Sequence, residues 1–153
     1  MDISVDVETD SLSLKSFQDR YILTQVGHQK IVFPSQWVAE IMLIERSQIL
    51  NLPFYDSRVL GVVHRQGGII PLVTLQVANP MSQRPRIQET LTAIRLSQLV
   101  SELAGVGLIV DQVIGSISQE ELSAKEQKAT ESSNPQIEVF QPESISPSIW
   151  QPR

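Results

Sequence analysis

The chain has 153 residues with 41% hydrophobic and 19% charged side chains, a balance typical of a folded domain rather than a disordered chain. It contains no Cys, which excludes disulfides, cysteine-ligated zinc and thiol catalysis. The formal net charge of −5 argues against a protein held on nucleic acid by phosphate contacts, and the 16 Ile and 15 Val favour strands.

The charge is unevenly distributed along the chain. Residues 1–20 form an acidic N-terminal extension without the basic and apolar regions of a signal peptide. Residues 21–119 hold most of the Ile, Leu and Val at a net charge of +1, and we predict that they form the folded body. No apolar run approaches the roughly 20 residues of a membrane helix, so we expect a cytoplasmic protein with no direct membrane insertion.

Short apolar runs separated by turn residues predict a succession of strands in this body. The predicted strands cover residues 21–26, 29–33, 38–44, 59–66, 69–75 and 90–100. Gly27-His28 suits a type II′ turn and Gly67-Gly68 a type I′ turn, so we expect hairpins at both places. A helix over residues 36–46 is the competing interpretation of the third run, because its apolar residues are dense enough for either period.

The later body and the C-terminal region are less regular. Alternation over residues 90–100 predicts a half-buried strand, and residues 106–117 form either two strands or one strand kinked at a bulge. Pro71 indicates an edge or the start of a strand. Residues 76–89 are predicted as a polar connector and residues 123–136 as a disordered linker. The Pro-rich tail over residues 137–153 is expected to dock through Phe140 and Trp150.

The sequence shows no arrangement typical of catalysis or of cofactor binding. The two histidines, His28 and His64, have no Asp or Glu at ligand-like spacing, so we expect no metal site. The segment from Gly61 to Gly68 lacks the spacing of a P-loop or a dinucleotide turn. The arginines of the body are not interleaved with aromatic residues, as a nucleic-acid platform would require. We therefore predict neither an enzyme nor a cofactor.

Four motifs, in chain order, resemble the pattern of CheW-like adaptor domains. They are Val38-Ala39-Glu40-Ile41, Leu52-Pro53, the hairpin from Gly61 to Leu75, and the run from Val106 to Val113. They fall within residues 21–122, which we predict to be a CheW-like domain.

This resemblance implies an all-β fold of two small five-stranded β-barrel subdomains packed around a shared core. It also implies a non-enzymatic adaptor that couples the cytoplasmic tip of a methyl-accepting chemoreceptor-like protein to the regulatory domain of a CheA-type histidine kinase. Divergent members of the family serve phototaxis or type IV pilus twitching motility, and this chain is a candidate for such a pathway as well as for chemotaxis.

The hairpin departs from the family pattern at four positions: His64 replaces an Asn, Arg65 replaces a Leu, and the other two are Gln66 and Thr74. Gln66 stands where the family has an Arg associated with receptor and kinase coupling, and Thr74 stands where it has Asp. The family Arg lies near the Glu that Glu40 matches, and Gln66 cannot form a charge-assisted pair with that carboxylate. Arg65 is the neighbouring residue, but adjacent strand residues point to opposite faces. We therefore expect Arg65 not to replace the missing Arg unless a bulge shifts the register.

We predict that the partner-binding residues are Val38, Glu40, His64, Arg65, Gln66 and Gly67. Most of them are polar residues inside strand runs, which commonly face water or a partner. Gly61, Gly67 and Gly68 are expected to meet requirements of the backbone.

Two alternative functions, and two roles for the tail, remain open at this point. The aromatic-poor body could enclose a cavity, which would make the protein a small-ligand-binding β-barrel. The chain could also be a CheW-like decoy that competes with another adaptor. The apolar residues of the tail could either complete the core or cover a groove used by a partner.

Overall fold

The computed structural model describes residues 20–75, 89–131 and 137–152. The extension up to residue 19 and residues 76–88 of the predicted connector lie outside the described residues. The strands and the α-helix of the described chain are β1 (Arg20–Val26), β2 (Gln29–Pro34), β3 (Val38–Glu45), β4 (Val59–Arg65), β5 (Gly68–Thr74), β6 (Thr90–Leu96), β7 (Gly107–Val110), β8 (Gln112–Ser118), α1 (Gln119–Glu131) and β9 (Ile137–Val139). Short 3-10 turns cover Ser35–Trp37, Arg46–Gln48, Gln98–Leu103, Pro142–Ser144 and Pro147–Trp150.

The strands form two sheets, which confirms the predicted all-β fold. One sheet has five strands in the order β3-β6-β7-β5-β4, and the other has four strands in the order β8-β1-β2-β9. The four-stranded sheet thus has one strand fewer, within the described ranges, than the five-stranded subdomain that we predicted. The predicted strand over residues 38–44 is β3, and the competing helix over residues 36–46 is wrong.

The two hairpins differ in how well their turns were predicted. Gly27 has φ +60, as the first position of a type II′ turn requires. In the second hairpin the turn residues are Gln66 and Gly67, with φ +51 and +79, so the predicted Gly67-Gly68 turn is wrong by one residue. The observed register places Val63 opposite Ile70, and both are buried. A turn at residues 67–68 would instead have placed the charged Arg65 opposite the buried Ile70.

Burial on both sides of β6 corrects the prediction of a half-buried strand. Ala93 belongs to a cluster enclosed by the five-stranded sheet, and Ile94 belongs to a larger cluster that both sheets share. Each of these two side chains is fully buried. β6 therefore lies between two cores, where alternation of apolar and polar residues is not required.

The apolar run over residues 106–117 consists of two strands that belong to different sheets. β7 pairs within the five-stranded sheet, Asp111 follows it, and β8 pairs with β1 in the four-stranded sheet. The Asp111 carboxylate accepts a hydrogen bond of 2.7 Å from the Gly27 backbone N–H, and this contact ties the crossover to the first hairpin. Pro71 lies in an interior strand, but β7 pairs with β5 only from Leu72 onward.

The C-terminal tail completes the shared cluster. Phe140, Ile145 and Ile149 are buried in it, and the Phe140 ring stacks on Phe33 with 5.0 Å between the ring centroids. Trp150 is partly buried against the same cluster. These positions place the apolar side chains of the tail in the core rather than over an open groove.

A helix replaces most of the linker that we predicted to be disordered. α1 extends from Gln119 to Glu131, and residues 132–136 lie outside the described residues. The Ser118 side chain accepts a hydrogen bond of 3.2 Å from the Glu121 backbone N–H, as a helix N-cap does. Leu122 is buried in a third cluster inside the four-stranded sheet, which gives the helix a tertiary anchor. No helix of the described segments has the length and apolar character needed to span a membrane.

Candidate functional site

Glu40 lies on β3, at one end of the five-stranded sheet. A register shift between Val38 and Glu40 places Ala39 in a bulge, and from Glu40 onward the side chains alternate regularly. Glu40 therefore shares a face with Met42 and Ile44, which are buried in the enclosed cluster. Its side chain is 29% exposed, so the carboxylate stands at the rim of that cluster.

Arg65 is the last residue of β4 and reaches Glu40 from the opposite edge of the sheet. It shares the inward face of β4 with the buried residues Gly61 and Val63. Its Nη2 donates a hydrogen bond to Oε1 of Glu40, forming an ion pair. β3 and β4 are the two outer strands of the sheet order, so this pair joins the two edges and closes the sheet at this end.

This contact corrects the expectation that Arg65 would not pair with Glu40. Gln66 is not the strand residue that the prediction assumed, because it occupies the first position of the turn. β4 therefore ends at Arg65, and a register shift between Val59 and Gly61 precedes the regular alternation that turns Arg65 inward. No bulge lies between Gly61 and Arg65. Arg65 forms the charge-assisted pair that Gln66 cannot form, because it is the last inward-facing residue of β4 and Gln66 already belongs to the turn.

A second arginine, which we did not predict, faces the same carboxylate. Arg95 on β6 lies directly opposite Glu40 in the β3–β6 register, and its Nη1 is 3.6 Å from Oε2 of Glu40. The alternation of Leu91, Ala93 and Arg95 in the sequence was a usable signal, since it places Arg95 on the same face as two apolar residues. We call Glu40, Arg65 and Arg95 the arginine–glutamate cluster.

The arginine–glutamate cluster carries one more positive charge than negative charge. Each arginine side chain is 36% exposed, so solvent reaches part of both guanidinium groups. The Nε atoms of both arginines are nevertheless buried and have no hydrogen-bond partner within the described chain. The cluster is therefore a half-buried cationic site with unused N–H donors.

The other predicted partner-binding residues lie around this cluster without joining it. His64 is exposed and lies on the face of β4 opposite to Arg65. Gln66 and Gly67 form the turn next to Arg65. Val38 is partly buried and packs against the hydrophobic core that the two sheets share. The structure therefore brings together Glu40 and Arg65 of the predicted set and adds Arg95.

The space enclosed by the five-stranded sheet is filled by side chains. Met42, Leu72 and Ala93 have no exposed surface, and a Cβ added at Gly107 would lie 2.9 Å from Cδ2 of Leu72. Such packing leaves no room for a small ligand there, so the structure does not favour the ligand-binding alternative. In the described part of the chain, no group of three or more His, Cys, Asp or Glu residues could hold a metal ion.

We expect a measurable but small coupling free energy between Glu40 and Arg65. In a double-mutant cycle with Glu40→Gln and Arg65→Gln, measured by urea unfolding, the coupling should be about 0.5–1 kcal/mol because both groups are partly solvated. It should fall at high salt, which screens exposed charges.

Arg58→Gln provides the matched control for this cycle. Arg58 is exposed and precedes β4, at the opposite end of that strand from Arg65. The change in the free energy of unfolding caused by Arg58→Gln should add to the change caused by Glu40→Gln, with no coupling free energy between them. A coupling of zero between Glu40 and Arg65 at low salt would contradict the ion pair.

Together, these features define an all-β domain of two sheets with a half-buried cationic cluster at the rim of the five-stranded sheet. The sequence profile described as "CheW-like domain" matches residues 20–140. The chain therefore belongs to the CheW-like domain family. The matched range extends beyond residue 122, where we predicted that the domain would end.

A solved structure shares the fold. It is titled "Crystal structure of scaffolding protein TtCheW from Thermoanaerobacter tengcongensis", and it superposes with a TM-score of 0.53 at 20% sequence identity. The alignment covers 66% of this chain and 62% of that chain, so this chain matches less than two thirds of the scaffolding protein. No curated protein matches the sequence.

Proposed function

We propose that the protein is a non-enzymatic cytoplasmic adaptor that couples a chemoreceptor-type sensor to the regulatory domain of a CheA-type histidine kinase in a motility pathway. The observation that carries the proposal is the CheW-like domain match over residues 20–140. The fold similarity to a protein titled as a scaffolding protein supports it. The pathway is chemotaxis, phototaxis or type IV pilus twitching motility.

The geometry of the site supports a role in protein contact. Adaptors need rigid surfaces with charged groups that set orientation and partner choice. The arginine–glutamate cluster lies at the closed end of a packed sheet, so its arginines are held by strands rather than by a mobile loop. Ile41 and Leu43 are 44% and 70% exposed on the outer face of the edge strand β3, and they offer apolar area beside the charged site.

Calorimetry with two purified probes tests the proposal. The probes are the regulatory domain of the CheA-type kinase and the cytoplasmic tip of the chemoreceptor from the same organism. We expect the full chain to bind at least one of them with a Kd below about 100 μM. If neither probe binds at this concentration, the adaptor function is wrong.

Reversal of the charge at Arg65 should weaken this binding. We expect Arg65→Glu to raise the Kd at least about tenfold, because it removes the cation and places a second carboxylate beside Glu40. The control is Arg58→Glu, which makes the same charge change away from the cluster and should change the Kd less than about twofold. Circular dichroism should confirm that both variants are folded. An unchanged Kd for folded Arg65→Glu would show that the partner binds another face.

A further inference from the structure

The two arginines of the arginine–glutamate cluster have more donors than the cluster itself uses. A guanidinium group carries five N–H donors. The only hydrogen bond that the described chain provides to either guanidinium group is the one from Arg65 to Oε1 of Glu40. Arg95 lies 3.6 Å from Oε2, a distance that gives electrostatic attraction without a hydrogen bond. Arg95 is therefore held near a carboxylate that does not saturate it.

The surroundings make the unused donors unusual. Both Nε atoms are buried and have no acceptor in the described residues, a condition that proteins generally avoid because desolvated donors are costly. At the same time, each arginine keeps 36% of its side chain exposed, so an incoming group can reach the terminal Nη donors from solvent, although not the buried Nε. The arginine–glutamate cluster is thus open to solvent at its terminal Nη donors, and its buried Nε donors have no acceptor in the described residues.

The charge of the site selects the chemistry of the group that would fit. One carboxylate against two guanidinium groups leaves a single positive charge, and one further carboxylate would neutralise it. The planar fork of a guanidinium matches a carboxylate through two parallel hydrogen bonds. Nucleic acid is not favoured, since the arginines of the body are not interleaved with aromatic residues.

We propose that Arg95 and Arg65 together bind the carboxylate of an Asp or Glu side chain on a protein partner, with Glu40 holding the two arginines apart and oriented. The inference rests on the proposed adaptor function for the identity of the partner. It assigns to Arg95, which lies outside the four family motifs in the sequence, a role in choosing partners that carry an acidic residue at the contact.

The first test measures the affinity of Arg95 variants for the kinase regulatory domain or receptor tip that binds the full chain. Arg95→Gln should raise the Kd about tenfold and make it less sensitive to salt, because a charge-assisted contact is lost. Arg95→Lys keeps the charge but loses the planar guanidinium that can donate two parallel hydrogen bonds. Its Kd should therefore lie between that of Arg95→Gln and that of the unmodified chain. The matched control Arg58→Gln should leave the Kd within about twofold of the starting value.

A second test does not depend on the partner. The full chain is titrated with an eight-residue peptide of alternating Gly and Glu, blocked at both ends, while the Nε–H signals of arginine are followed by nuclear magnetic resonance. We expect saturable shifts of the Arg65 and Arg95 signals at concentrations up to about 10 mM, and none of the Arg58 signal. The same peptide with Gln in place of Glu should produce no shift.

The two tests separate failure of this inference from failure of the adaptor function. If the protein partner binds but Arg95→Gln leaves its Kd unchanged, or if the acidic peptide moves neither arginine signal, the carboxylate site is wrong. If neither protein partner binds while the acidic peptide still moves both signals, the adaptor function is wrong and the carboxylate site stands.

Discussion

Replacing Gly61 with Ala is expected to lower the free energy of unfolding by about 3 kcal/mol, since steric overlap and backbone strain act together. A Cβ built on Gly61 would lie 2.3 Å from the carbonyl oxygen of Leu50, and the backbone has φ +153. The obstructing atom belongs to the backbone, so no rotamer change relieves the overlap. The substitution should also disturb the paired hydrogen bonds of 2.8 and 2.9 Å between Leu50 and Val62.

Two neighbouring glycines serve as graded controls for this prediction. Gly67 has φ +79 but no atom within 4 Å of a built Cβ, so Gly67→Ala should cost only about 1 kcal/mol of backbone strain. Gly68 has an ordinary backbone conformation, with the nearest atom at 3.7 Å, so Gly68→Ala should be within about 0.5 kcal/mol of neutral. Urea unfolding of the three variants measures the loss in the free energy of unfolding, which should be largest for Gly61→Ala and smallest for Gly68→Ala. Equal effects at Gly61 and Gly68 would contradict the close approach of Leu50.

Truncating Phe140 to Ala is expected to lower the free energy of unfolding by about 3–5 kcal/mol, the range for a large aromatic side chain removed from a core. Phe140 is only 4% exposed, stacks on Phe33 and meets Trp37 edge-on at 6.5 Å between the ring centroids. Its backbone N–H also donates to the Val32 carbonyl at 2.9 Å. The tail is thereby tied to the body by both packing and backbone pairing.

Phe54→Ala is the matched control for Phe140, because the same side chain is removed from a surface position. Phe54 is 69% exposed, so its truncation should change the free energy of unfolding by less than about 0.5 kcal/mol. Urea unfolding measures both variants. If Phe140→Ala were no more destabilising than Phe54→Ala, the tail would not be part of the core.

Local patterns in the sequence identified most of the strands and both hairpins. Those patterns act over a few residues, as in the β-branched runs of β1 and β3 and in Gly27 at the first turn. The start of α1 was also recognisable, because Ser118-Gln119-Glu120-Glu121 has the spacing of a capping box. We missed it because the polar composition of the following residues indicated disorder.

The second turn shows where local patterns fail. Gly67-Gly68 and Gln66-Gly67 are both acceptable turn pairs, so the choice between them does not depend on the turn residues alone. It depends on which register buries Val63 against Ile70, and this is a property of the folded sheet. The one-residue difference decided that Arg65, rather than Gln66, is the last residue of β4.

The amino-acid order alone was enough to predict an all-β domain, its resemblance to CheW-like adaptors and Glu40 as a candidate binding residue, because these follow from short motifs and composition. The partners of Glu40 required the folded chain. Arg65 and Arg95 are 25 and 55 residues away from it, and the contacts depend on strand pairing, a turn register and the closure of a five-stranded sheet. Ion pairs across such separations arise from packing of the whole sheet, which no local pattern encodes.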